Sequence, residues 1–171
     1  MLRASDIASL LYLRLHPADS YGAMAERLGI SRSTAHESVR RLVQGRLAHE
    51  SRRAMALVAD GPALDFLSYG VPYAFVPETV PAARGVVTGL RALAESRSTA
   101  FSGLELVWPS KLDDARGIGV APLVPAAPDL PFRDPPLYPQ LALVDALRLG
   151  DARDREVARE LLRLEFNRPL T

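Results

Sequence analysis

Few side chains in this sequence are placed to do chemistry. Cysteine is absent, which excludes thiolate catalysis, disulfides and cysteine-ligated zinc. His16, His36 and His49 are the three histidines. They lack any metal-ligand spacing, so neither a metal nor another cofactor is expected. RGVVTG (84–89) and ARGIGV (115–120) contain paired glycines. Neither has the Lys-Ser/Thr ending of a phosphate loop nor the GxGxxG pattern, and both read as turns. No GxSxG elbow is present. Asp113 and Asp114 are adjacent and would point apart on a strand, so they read as loop residues and not as an acid/base pair. Trp108, Tyr73, Phe75 and Tyr138 are candidates to line a ligand pocket, although such aromatics more often fill a core. Nothing here predicts an enzyme.

One cluster has a coherent chemistry, the recognition of anions and base edges. Ser31, Ser33 and Thr34 are short hydroxyl donors suited to phosphate oxygens beside a helix N-terminus. Arg32, His36, Glu37, Arg40 and Arg41 follow on the same side. Arg40, one turn beyond His36, can reach a guanine edge or a phosphate. Glu37 can accept from a cytosine amino group, but an i,i+4 pair with Arg41 is its more probable use by spacing. Arg52 and Arg53 add positive charge just beyond. Between Ser20 and Ala56 seven arginines face three glutamates, whereas the whole chain carries only +1. Such asymmetry suits one end facing a polyanion.

Three helices are predicted to hold this cluster. The first spans about Asp6 to Leu15, capped by Ser5, with Ile7, Leu10, Leu11 and Leu15 at helical spacing. Ser20 caps a second, Tyr21 to Leu28, ended by a left-handed Gly29. Ser31 caps a third, Arg32 to Gln44, ended by Gly45. In the third helix Ala35, Val39 and Leu42 form one apolar stripe opposite the polar face. The first helix is expected to close the core behind them, giving a tri-helical helix-turn-helix whose last helix fits a DNA major groove. RLAHESRRAMALV then reads as two short strands around a turn near Glu50 and Ser51.

Beyond Asp60 the character changes. Pro62 starts a fourth helix, about Ala63 to Tyr69, stopped by Gly70. Proline and glycine then dominate from Pro72 to Pro139, with short apolar pieces between them and two helical turns expected in LRALAES (90–96). Leu137–Leu149 and the segment capped by Asp151 are predicted helices, joined at Gly150 as an antiparallel pair. On the last helix the stripe Val157, Leu161 and Leu164 can pack on its neighbour. Leu162 and Phe166 then still need cover, either from the chain's own proline-rich segment or from a second copy, in which case Leu161, Leu162 and Phe166 are the candidate dimer interface.

The stretch YGAMAERLGISRSTAHESVRRLVQGRLA resembles the winged helix-turn-helix of MarR-type bacterial regulators. The matching features are Ala25, the run Leu28-Gly29-Ile30-Ser31, apolar positions 35, 39 and 42, Gly45 and Leu47. SRRAMALVADG is similar to that family's second wing strand. The resemblance covers about residues 5–61. It implies dimeric binding of double-stranded DNA and transcriptional control, with the third helix as the reading element. The hairpin is short for a long wing, and residues 72–139 lie outside the family pattern.

The expected fold is mainly α with small β. Residues 1–61 form a winged helix-turn-helix, and residues 62–171 carry a proline-rich segment and a helical hairpin for dimerisation or partner binding. No apolar run approaches a membrane span and no signal peptide is evident, so a cytoplasmic location is expected, and the resemblance implies a homodimer on double-stranded DNA. The alternative is an antitoxin-like or adaptor protein that binds a protein partner through residues 72–171 and uses the winged helix for autoregulation.

Overall fold

The computed structural model describes residues 1–93 and 105–169. The chain is mainly helical with two small β-structures. Helix α1 (Ala4–Leu15) starts two residues before the expected Asp6, with Arg3 and not Ser5 at its cap. The Asp6 carboxylate accepts the Arg3 backbone N–H at 2.7 Å and so closes the first turn. Every residue from Asp6 to Arg14 is buried, as expected of a helix enclosed on all sides. On one side α1 meets α2 (Tyr21–Leu28) and α3 (Arg32–Gln44), and on another it meets α7 (Leu137–Leu149).

The caps of α2 and α3 act as their residue types dictate. Ser20 Oγ accepts from Ala23 N–H at 3.2 Å, Ser31 Oγ accepts from Thr34 N–H at 3.0 Å, and Gly29 takes φ 67°. The third helix ends at Gly45 as expected, but not by a left-handed glycine. Gly45 has φ −77°, and the left-handed residue is Arg46, at φ 60°. Leu47 N–H closes back on Leu42 C=O at 2.9 Å, so the chain turns one residue after the glycine.

Strands β1 (Ala48–His49) and β2 (Leu57–Val58) pair antiparallel, with Ala48 opposite Val58. The connection is the whole of residues 50–56, broader than a turn at Glu50–Ser51. Helix α4 (Asp60–Asp65) does not stop at Gly70. It widens into a π-turn over Phe66–Gly70 and runs on as α5 (Val71–Ala74). Gly70 has φ −94°, an ordinary helical-side value, so nothing there ends the helix.

The proline- and glycine-rich middle forms a three-stranded closed barrel of β3 (Thr79–Thr88), β4 (Leu106–Pro109) and β5 (Ala115–Val120). Strand β3 pairs antiparallel with β5 through its first half and with β4 through its second, while β4 and β5 run parallel. This corrects the reading of RGVVTG and ARGIGV as turns, for both are strand. Their glycines serve close approach. A Cβ on Gly85 would lie 1.8 Å from the Trp108 carbonyl oxygen, and one on Gly117 would lie 2.0 Å from that of Glu105. Of the turns expected over 90–96, a 3-10 turn at Gly89–Ala92 is seen, and residues 94–96 lie outside the described residues.

Trp108 pins the barrel to α7. Its indole N–H donates to Asp145 Oδ2 at 2.7 Å, Thr88 Oγ1 donates to the same oxygen at 2.8 Å, and Arg148 Nη1 holds the other oxygen at 2.8 Å. Burial pushes the Asp145 carboxyl up, and the Arg148 charge and these hydrogen bonds act against that. Trp108 and Tyr138 thus belong to a wall of the core and not to a ligand pocket. Tyr73, by contrast, is 70% exposed.

Helix α6 (Leu130–Arg133) leads into α7, and α8 (Ala152–Asn167), capped by Asp151, packs on α7. The dimer-interface expectation for Leu161, Leu162 and Phe166 is corrected here. Leu162 is 0% and Phe166 6% exposed, both inside the hydrophobic core, and Leu161 packs against it half-buried. The Arg14 guanidinium lies 4.3 Å over the Phe166 ring and donates to the Phe166 carbonyl at 2.5 Å. The large apolar side chain that α8 turns outward is Leu164, 45% exposed. One hydrophobic core runs through residues 1–61 and 62–169 alike.

Candidate nucleic-acid interface

Helix α3 owes its orientation to what lies behind it. Ala35, Val39 and Leu42 are buried as their spacing requires, and Ser38 joins them. Ser38 Oγ donates to Asp6 Oδ1 at 2.6 Å. Arg41 reaches the same carboxylate with two nitrogens, Nε to Oδ2 at 2.8 Å and Nη2 to Oδ1 at 2.7 Å. The Arg41 side chain is 10% exposed. Arg41 is therefore removed from the candidate reading face, because its guanidinium is committed to locking α3 onto the start of α1. The i,i+4 pair of Glu37 with Arg41 is likewise replaced by an i,i+3 pair of Glu37 with Arg40. The buried Asp6 attracts Arg41 more strongly than an exposed glutamate does.

The opposite face is open. Arg32, Ser33, His36, Glu37 and Arg40 are all exposed, with Thr34 half-buried at the edge. The three hydroxyls form a local knot, with Ser31 Oγ 2.9 Å from Ser33 Oγ and 2.8 Å from Thr34 Oγ1. The Tyr21 and His36 rings stack with centroids 3.5 Å apart and planes 23° apart, which fixes the imidazole on the surface. Arg32 folds back over α2, so that a Cβ on Gly22 would meet its Nη2 at 2.7 Å. A groove of about 480 Å³ runs beside the helix between Tyr21, His36, Arg40 and Gln44 and the loop residues Glu50 and Met55.

Arg52 and Arg53 are exposed in the β1–β2 loop. Ser51 Oγ accepts the N–H groups of Arg53 and Ala54, each at 3.2 Å, and shapes that loop. Arg27 turns to the C-terminal half instead, donating to the Arg133 carbonyl and lying 3.8 Å from Asp134. With Arg27 and Arg41 so committed, the exposed arginines between Ser20 and Ala56 are 32, 40, 46, 52 and 53, against Glu26, Glu37 and Glu50. The surface charge is smaller than the sequence count suggests, and positive.

Two residues of this surface were missed by sequence reasoning. Tyr21 orients His36, and no spacing rule joins two residues fifteen apart on different helices. Arg46 is the other; the order Gly45-Arg46, with a glycine present but the next residue in the left-handed position, was its only signal. The other two histidines lie elsewhere. His16 Nε2 is 2.8 Å from Asp134 Oδ2 at the end of α1, and His49 is exposed on β1. Among the described residues no cluster of metal-ligating side chains occurs and no helix is long and apolar enough to cross a membrane.

No family model, no characterised protein and no solved structure matches the chain.

Proposed function

We propose that this protein binds double-stranded DNA, with residues 1–61 acting as a winged helix-turn-helix and α3 as the reading helix, and that it regulates transcription in the cytoplasm as a dimer. One observation carries the reading. Helix α3 is clamped from behind through Ser38, Arg41 and Asp6, while Arg32, Ser33, His36, Glu37 and Arg40 are presented together to solvent. A braced helix with one polar, basic face is what insertion in a major groove requires. The MarR-type resemblance of residues 5–61 agrees with it. The seven-residue connection between β1 and β2, with Arg52 and Arg53 exposed, suits phosphate contact and not deep minor-groove reading.

The test is titration of genomic duplexes at several salt concentrations. Each neutralised phosphate contributes about 0.9 to the slope of log affinity against log salt, so at most five exposed arginines per chain give a slope no steeper than about −4.5 for one chain and about −9 for a dimer. Arg40→Ala is expected to cost about 1–3 kcal/mol at one base position, and Arg52→Ala to weaken all sequences alike. A wild-type protein with no salt-sensitive affinity for any duplex removes the proposal. Sedimentation on and off DNA tests the dimer.

A second reading, a partner-binding adaptor or antitoxin-like protein, draws on the C-terminal half. Phe132 is 75%, Val76 71% and Tyr73 70% exposed there. A second chain that co-purifies in fixed stoichiometry and is released by changing these residues would favour it.

A further inference from the structure

Strands β3 and β5 set two arginines face to face. Arg84 and Arg116 are register partners in an antiparallel pair, so their side chains leave the same face of the sheet as near neighbours. Like charges directly opposed in this way destabilise a sheet. The compensation is partial. Asp114, itself exposed, lies 2.7 Å from Arg84 Nε, and the Asp113 carbonyl accepts from that nitrogen at 3.3 Å. Arg116 is exposed and has no ion-pair partner among the described residues. The barrel thus keeps an uncompensated guanidinium beside a second one.

Both arginines open onto a groove of about 790 Å³. The rest of its wall is mostly apolar and includes Val80, Pro81, Ala83 and Ile118. The β3–β5 register shifts between Val80 and Ala83, and Val80 is left 48% exposed. Val80 and Ala83, paired with Gly119 and Gly117, leave the opposite face of the sheet from Arg84 and Arg116, so Pro81, Ala82 and Ile118 are the apolar residues of the groove open to the two guanidiniums.

We propose that this groove binds a small molecule with one anionic head, carboxylate or phosphate, and an apolar body. The head sits between Arg84 and Arg116, and the body lies along Ile118 and the bulge residues Pro81 and Ala82. Two forked guanidiniums match the oxygens of such a head, and removing the apolar body from water supplies the rest. A nucleic-acid strand fits less well, because the groove has no aromatic for a base to stack on and its apolar wall would face a polar backbone. An added peptide strand fits less well too, because Pro81 and the bulge interrupt the ladder of N–H donors.

The experiment is calorimetric titration of the full chain with octanoate, octyl phosphate, octanol and inorganic phosphate. Wild type is compared with Arg116→Gln and with the Arg84→Gln/Arg116→Gln double variant. At least one of the two amphiphilic anions is expected to bind wild type at one per chain, more tightly than octanol and inorganic phosphate do. The better of octanoate and octyl phosphate identifies the head group. Loss of a charge-assisted contact in Arg116→Gln is expected to weaken that binding about tenfold or more, and the double variant is expected to lose it. Because the like-charge pair is relieved, the ligand-free Tm of Arg116→Gln is expected to be no lower than wild type. The proposal is overturned if neither anion binds saturably, if octanol or inorganic phosphate binds as well, or if the double variant retains full affinity. A clear drop in ligand-free Tm for Arg116→Gln would also overturn it, since the arginine would then serve the fold.

Discussion

Replacing Asp6 by alanine tests the brace behind α3. The carboxylate is 1% exposed and accepts from Arg3 N–H, Ser38 Oγ and two nitrogens of Arg41, all between 2.6 and 2.8 Å. Removing one partner of a buried ion pair costs about 3–5 kcal/mol. Arg41 lies near enough to the surface to recover some hydration, so the lower part of that range is expected, about 3–4 kcal/mol. That is a large share of the roughly 5–15 kcal/mol of a typical domain. A cycle of Asp6→Ala, Arg41→Ala and the double variant, read by urea unfolding, is expected to give a coupling of about 2 kcal/mol. The acid limb supplies a second readout. Burial raises the Asp6 pKa, but the hydrogen bonds and charge of Arg41 with the Ser38 and Arg3 donors outweigh it, and the net value lies below the ordinary 3.8. A carboxylate depressed in the folded state contributes stability that is complete above its unfolded pKa. That contribution is lost as pH falls through the folded value. Asp6→Asn, which has no such titration, is expected to show a shallower loss of stability below about pH 4. A coupling under about 0.5 kcal/mol, or an acid limb identical in Asp6→Asn and wild type, would refute the brace. Folded Arg41→Ala should also keep the wild-type salt slope for DNA; a slope shallower by about 1 would make Arg41 a phosphate contact after all.

Arg46→Gly is expected to raise stability by about 1 kcal/mol, because glycine holds φ 60° without the Cβ clash, and to lower DNA affinity across all sequences if the arginine meets a phosphate; denaturation and duplex titration decide each half. Gly85→Ala would drive a methyl group into the Trp108 carbonyl. A loss of more than about 3 kcal/mol is expected, with red-shifted emission from Trp108, the single tryptophan; an unshifted spectrum and unchanged Tm would show that the barrel yields easily. Leu162→Asp places a charge at a 0% exposed site, so thermal unfolding followed by circular dichroism should show a destabilised fold, and a variant as stable as wild type would mean that α8 is not needed by the core.

The local signals that were legible are those whose physics is local. Ser20, Gly29 and Ser31 mark the ends of α2 and α3 because a cap acts within one turn of itself, and Ala35, Val39 and Leu42 name the buried side of α3 without reference to any other segment. The partners of polar side chains were not legible. Arg41 stands in the sequence beside Arg40 as an equal candidate, and only the approach of Asp6, thirty-five residues earlier, separates a brace from a contact residue. The barrel was hidden for a related reason. Its glycines at 85 and 117 answer to backbone passing close by on another strand, a requirement that leaves no periodicity. Phe166 looked surplus because the group it covers, Arg14 of α1, lies at the far end of the chain.

The burial of α1 on every side has a consequence for how this protein can be divided. The helix touches α2 and α3 along one flank and α7 along another, and Arg14 at its end is held by Asp60 at 3.1 Å and by the Phe166 carbonyl at 2.5 Å. A fragment ending near residue 61 would keep α3 but strip one whole flank of α1 and take the Phe166 carbonyl and ring away from the Arg14 guanidinium. Such a module could not be transplanted onto another protein as an interchangeable part. A protease that nicks the chain between the halves would not release two independently folded pieces; α1, which backs α3, would lose its support when the C-terminal helices depart.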